Sequence, residues 1–231
     1  MKVKSATNTQ SIMPDRIRRS RRKTIALIME LDGTLEVRAP RQMTDKQVLD
    51  YVQSKASWIR KRQAAVLAVP PPHHYQQGEE FHYLGKLYPL RYVAKQRKSV
   101  HFTGTSIDLK ASVQPEAAEW VEGWYRSQAR EHLTGRLEYF AHRYGFFYEN
   151  LRINCARTRW GSCNAQRKSL NFSYRLVMAP PEIVDYVVVH ELCHLRHANH
   201  SAAFWAEVEG IMPDYRQRRK WLKDNGVKLR L

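Results

Sequence analysis

Cysteine is scarce in this 231-residue chain. Cys155, Cys163 and Cys193 are an odd number and none lies in a CxxC spacing, so neither a disulfide framework nor a cysteine zinc knuckle is expected. Long apolar runs are missing too. No stretch approaches the roughly 18 residues that a membrane helix needs, and the N-terminus lacks the apolar segment of a signal peptide. We therefore expect a cytoplasmic protein with free thiols and no membrane contact. Acidic residues are few, 22 against 39 Lys and Arg, for a net charge of +17. Residues 1–23 carry eight of the basic residues and a single Asp, hence +7 of that total. Their "RIRRSRRK" run predicts a flexible basic tail, which either only solvates the chain or touches nucleic acid, nucleotides or acidic surfaces. The rest of the excess is spread along the sequence and selects no partner.

What the chain does contain is enough apolar material, 43% of residues and six Trp, for one sizeable core or two small ones. The first half is expected to be β-rich. "TIALIMELDGTLEVRAP" is two strand-like runs joined by Asp32-Gly33, a two-residue hairpin signal. "FHYLGKLYPLRYV" is expected to turn near Gly85-Lys86 and "SVHFTGTSIDLKA" near Gly104. Between the first two hairpins Thr44-x-x-Gln47 is a capping box, opening a helix with Val48, Tyr51, Val52 and Ile59 on one face. "VPPPHHYQQG" is the expected internal linker. The second half is expected to be helical. Pro115 opens a long helix whose stripe Trp120, Trp124, Leu133, Leu137, Phe140, Tyr144 ends at Gly145, and both tryptophans are expected in the core. Short strands are expected near residue 150 and over Leu170 to Leu176, and helices after Pro180-Pro181, over Ser201 to Ile211, and in the basic C-terminal segment. The working division is a tail over 1–23, a β-rich region over 24–110 and a catalytic region over 111–231, the last two forming one continuous domain. No internal repeat is present.

The segment "VVVHELCHLRHANHSAAFW", Val187 to Trp205, gathers four His and one Glu within eleven residues. On an α-helix His190 and His194 are one turn apart and can reach one metal ion, with Glu191 beside them. This is the HExxH arrangement of a zinc hydrolase. Ile183, Val184, Val187 and Val188 at helical spacing bury one face and turn the His/Glu face to a cleft. Cys193 is about 100° away and should point from the metal. A catalytic zinc takes three protein ligands and leaves a position for water. On a straight helix His197 lies roughly 7 to 8 Å too far along the axis. His200 is better placed if the helix stops near Ala198-Asn199, with Asn199 left-handed and Ser201 capping the next helix. The His190-x3-His194-x5-His200 spacing is that of metzincins, although His197 stands where their glycine would be. Glu207 or Glu209 remains the alternative third ligand, as in gluzincins.

"RWGSCNAQRKSLNFSYRLVMAPPEIVDYVVVHELCHLRHANHSAAFW" closely resembles the YgjP-like zincin family, which is related to the SprT-like and WLM metalloproteases. The resemblance is strong over residues 157 to 205 and extends over nearly all the chain beyond the first twenty or so residues. It implies an α+β, zincin-like fold, one zinc ion at His190, His194 and His200, Glu191 as catalytic base, and the "RWGSC" element, Arg159 to Cys163, beside the active-site helix.

Three neutral imidazoles leave a zinc ion its full charge, so that bound water loses a proton near neutral pH, and Glu191 can take that proton. Arg157, Arg159 and Tyr174 are candidates for holding the substrate or its transition state. The function expected first is that of a monomeric metallopeptidase acting on an extended peptide, paired to a strand at "RWGSC" or "LNFSYRL". The alternative is a zinc-dependent nucleoside triphosphate pyrophosphatase, with Arg157, Arg159, Arg167, Lys168, Arg175 and Arg196 converging on phosphates.

Overall fold

The computed structural model describes residues 11–30, 33–67 and 71–231, which form a mixed α+β structure in two compact units, Met1–Pro70 and Pro71–Leu231. Among the described residues no helix is long and apolar enough to cross a membrane.

The first unit contains β1 (Arg16–Ser20), β2 (Ala26–Met29), β3 (Leu35–Pro40), α1 (Asp45–Ser54) and α2 (Ala56–Leu67). β2 and β3 pair antiparallel, as the hairpin signal predicts; Leu31 and Asp32 lie outside the described residues. Arg16–Ser20, expected within a flexible tail, is instead a strand paired in parallel with β3. Two carboxylates account for this correction. Asp15 accepts from the Leu35 amide at 2.6 Å, and Glu36 on β3 gathers Arg38, Arg18 and Arg16 at 2.7, 3.2 and 3.7 Å. The first ten residues of the expected tail lie outside the described set. On β3, Leu35, Val37 and Ala39 pack with Val48, Val52 and Ile59 from the two helices. Thr44 and Gln47 form the expected capping box at the start of α1.

The second unit begins with β4 (Glu80–Tyr83), β5 (Lys86–Val93), β6 (Val100–Phe102) and β7 (Ile107–Lys110), in sheet order β4-β5-β7-β6. The long helix α3 (Ala117–Tyr144) follows. Then come β8 (Asn150–Asn154), β9 (Gly161–Asn164) and β10 (Ser169–Ser173), in order β8-β10-β9, and the helices α4 (Pro181–Cys193), α5 (Ala202–Ile211) and α6 (Tyr215–Asn225). The boundary between the units falls at Pro70, in the proline-rich stretch expected as the internal linker, so residues 24–231 are divided where one continuous domain was expected. Phe81, Leu90, Ile107 and Leu109 from the strands share one core with Trp124, Leu133 and Leu137 of α3, so strands and helices belong to one unit. Pro115 lies in a 3-10 turn before α3, and Gly145 ends the helix at a left-handed φ of 65°. Trp124 is buried as expected. Trp120 is not: it is 42% exposed and lines a surface groove with Phe102 and Lys98.

Helix α4 is at the centre. It packs against α3, α5, α6 and β9, and from Ile183 to Cys193 only Asp185 and His190 are not fully buried. The expected single apolar face is exceeded because Val187-Val188-Val189 places apolar surface all round the helix. Its entrance is fixed by the β4–β5 hairpin, which turns on Leu84 and Gly85, both at positive φ, one residue earlier than expected. The Leu84 and Gly85 amides donate to the carbonyls of Val177 and Met178 at 2.7 and 3.3 Å. A Cβ on Gly85 would lie 2.9 Å from Pro180.

Two outcomes follow from this packing. Gly85→Ala combines a strained φ with overpacking against Pro180 and should lower the stability of the second unit by about 2 kcal/mol, read as a shift in the urea midpoint. Glu36 titrates below its ordinary value of 4.5, chiefly through the hydrogen bond from Arg38, with burial opposing and the charges of Arg18, Arg38 and Arg16 adding to the effect. A lowered folded-state pKa means that its stabilisation is present above pH 4.5 and is lost as pH falls through the folded value. Hydrogen exchange of residues 16–40 should thus be faster in Glu36→Gln than in the wild type at pH 7, and the difference should vanish in acid.

Candidate metal centre

Helix α4 ends at Cys193, earlier than the sequence suggests, with His194 as its C-cap. The chain then turns tightly: the Leu195 amide donates to Leu192, and those of Arg196 and His197 donate to Cys193. Asn199 has no positive φ, so the reversal does not use the expected left-handed residue. Ser201 caps α5 through the Phe204 amide at 3.3 Å, as expected. The turn returns His200 to the other two imidazoles. Its Nε2 lies 3.0 Å from that of His190 and 3.2 Å from that of His194. One ligand atom from each of the three rings falls within 4.8 Å of the others.

His197 is directed elsewhere. Its carbonyl accepts from His194 Nδ1 at 2.9 Å, and its ring lies 2.9 Å from Glu207. Glu207 also binds Arg196, and Glu209 pairs with Arg216 at 2.9 Å, so neither carboxylate joins the cluster.

The donor set fits a zinc ion. With Nδ1 of His194 donating to a carbonyl, its Nε2 presents a lone pair toward the other ring nitrogens. Converging lone pairs repel unless a cation sits among them. Protons do not fill that role readily: burial, then His194, His200 and Arg219, push His190 down to about 3, and burial, His194 and Arg219 lower His200. Three imidazoles and no thiolate are a ligand set that suits zinc. Phe204 floors the cluster, with its ring 4.5, 4.9 and 5.0 Å from His194, His200 and His190, and Trp205 stacks on His200 at 5.5 Å.

Glu191 points to the opposite wall. It is buried, and burial pushes its carboxyl up to about 8. A Cβ on Gly161 would meet its Oε1 and Cγ at 2.7 Å, so only glycine lets β9 approach so closely. Cys163 on the same strand is raised to about 11 by burial and then by Glu191, and Cys193 to about 12, chiefly by burial; neither is a ready nucleophile. The strand is braced from behind. The Trp160 carbonyl accepts from the Ser173 amide at 2.9 Å, and Arg175 lies over the Trp160 ring. Arg175 is buried and donates to the carbonyls of Leu229 and Arg157 at 2.7 and 3.0 Å.

His190, Glu191, His194 and His200 are thus brought together. Arg157 and Arg159 are exposed on the loop entering β9. Tyr174 is buried, and its hydroxyl donates to Glu122 on α3 at 3.4 Å. Gly161, Phe204, Trp205 and Arg219 were not singled out in the sequence. The first three had a faint signal in the short segments "RWGSC" and "SAAFW"; Arg219 had none.

The family model described as "YgjP-like, metallopeptidase domain" matches residues 23–225. No curated protein matches the chain. Among solved structures, the crystal structure of the metallopeptidase zymogen of Pyrococcus abyssi abylysin is similar over 39% of this chain and 93% of that one, at 22% identity and a TM-score of 0.36.

The geometry separates two histidines by experiment. In a zinc titration against a chromophoric chelator, His200→Ala should lose affinity well beyond about 100-fold. His197→Ala keeps the carbonyl that orients His194 and should lose about 10-fold or less. The reverse order would overturn this assignment.

Proposed function

The chain belongs to the YgjP-like metallopeptidase family, and on that premise we propose that it is a zinc-dependent peptidase of zincin-like architecture, with His190, His194 and His200 holding the metal and Glu191 acting as general base. The observation that carries the proposal is the contact between Glu191 and Gly161, which sets the base against a strand at the edge of its sheet. Such an edge has unpaired backbone groups along which an extended peptide can align. β10, the other candidate for this pairing, has both neighbours occupied.

When bound, zinc supplies Lewis acidity towards water and towards the oxygen of the scissile carbonyl. His194 is held in one tautomer by the His197 carbonyl, and the rings rest on Phe204, so ligand orientation is set by the fold. A positive ion at the imidazoles favours the ionised form of Glu191 despite its burial. The Glu191 carboxylate takes the proton of the attacking water as the water oxygen adds to the carbonyl carbon. It then returns that proton to the amine nitrogen as the C–N bond breaks. Arg157 and Arg159, exposed on the loop entering β9, remain the candidates for contacting the peptide, whereas the Tyr174 hydroxyl donates to Glu122. Three free cysteines agree with a cytoplasmic setting.

Cleavage of a nucleoside triphosphate asks for several cations on one set of phosphates. Three of the six candidates are engaged: Arg175 binds backbone carbonyls, Arg196 binds Glu207 and the carbonyls of Tyr144 and Gly145, and Lys168 pairs with Glu149 at 3.8 Å. The peptide reading is therefore the better supported.

Glu191→Gln keeps shape but removes the base. Zinc content by metal analysis should be unchanged while turnover of casein falls by at least about 100-fold. Turnover of nucleoside triphosphates with casein untouched would overturn the peptidase proposal, and equal loss of zinc and activity would make Glu191 a ligand.

A further inference from the structure

Helix α6 is densely basic, and most of its cations are spoken for. Arg216 pairs with Glu209, Arg218 with Asp214, and Lys220 with Asp224. Arg219 differs. Among the described residues it pairs with no carboxylate, and its guanidinium lies over the indole of Trp205, 4.8 Å from the ring centroid. Trp205 in turn stacks on His200 and lies 5.8 Å from His190. One aromatic ring thus joins Arg219 to two of the three imidazoles.

An exposed cation next to neutral metal ligands is electrostatically costly once a metal ion is bound, because two positive charges then share one wall. Among the described residues no carboxylate pairs with Arg219: Glu191 lies against β9, and Glu207 and Glu209 are engaged. Stacking on an indole holds a guanidinium flat while leaving its N–H edge free for a planar two-oxygen acceptor. An anion arriving with the substrate would complete the arrangement.

We propose that Arg219 is a substrate-anchoring residue, which takes a carboxylate of the peptide lying within a residue or two of the scissile bond. The inference rests on the zinc peptidase reading and adds a substrate preference to it. Both a C-terminal carboxylate and an acidic side chain carry the same chemistry, and the probes below distinguish them.

The test is calorimetric binding to zinc-loaded protein, with turnover playing no part. Three hydroxamates of one dipeptide serve as probes: one ends in a free carboxylate, one in a neutral amide, and one carries a Glu side chain with an amidated end. The wild type should bind at least one carboxylate probe about tenfold more tightly than the amide, as a charge-assisted hydrogen bond near solvent allows; the tighter carboxylate identifies the source. Arg219→Met should lose that preference and bind the neutral amide as the wild type does. Arg219→Lys, with charge but no fork, should retain part of it, and it carries the comparison should the Met variant fold poorly. Equal binding of all three probes by the wild type overturns the inference alone, as does a preference that survives in Arg219→Met. Failure of every hydroxamate to bind zinc-loaded wild type overturns this inference and the metal-centre reading together.

Discussion

A carboxyl group and an imidazole placed inside an apolar core lose their hydration, and each must then change its protonation or find an opposing charge. Helix α4 imposes that constraint on Glu191 and His190 by being buried on nearly every side. Burial disfavours protonation of His190 and ionisation of Glu191. Both groups become neutral without a partner, and a metal cation at the imidazoles is the partner that suits them together. The apolar surroundings thus disfavour a charge on either group until a cation is near.

Around this helix the site has two differently built walls. One is the β9 strand, brought against Glu191 by the missing side chain at Gly161. The other is aromatic: Phe204 and Trp205 at the start of α5 hold the faces of the three imidazoles. His190 and His194 need little reorganisation, since one lies on the helix and the other caps it. His200 is exposed on the turn, and its place depends on Ser201 starting α5 on time.

Much of this was legible in the sequence where the physics is local. The four-residue spacing of His190 and His194, the Thr44 capping box and the stop at Gly145 all depend on residues within a turn or two of each other. Long-range causes were not legible. β1 is a run of arginines with no apolar alternation, and it becomes a strand because Glu36 on β3 pairs with its arginines and Asp15, the residue before it, accepts from the amide of Leu35, some twenty positions away. The "GSCN" of β9 has weak strand propensity and is ordered by pairing with β10. Helical spacing puts Trp120 and Trp124 on one stripe but does not say how much of each ring the rest of the fold covers, and Trp120 is left largely exposed. His200 was expected from a turn near Ala198-Asn199, whereas α4 ends at Cys193 and the chain reverses before those residues. Arg219 comes to the site only through tertiary packing of α6.

The brace behind β9 has a consequence in time. Arg175 holds the Trp160 loop, yet one of its hydrogen-bond acceptors is the carbonyl of Leu229, and the Trp160 ring fits against Gly226, where a Cβ would lie 2.9 Å away. The HExxH helix is synthesised well before either residue. A growing chain can therefore form α4 and gather its histidines while the strand on which a peptide would lie is still unsecured. The brace on the strand beside Glu191 is thus completed by residues that follow α6 in the chain.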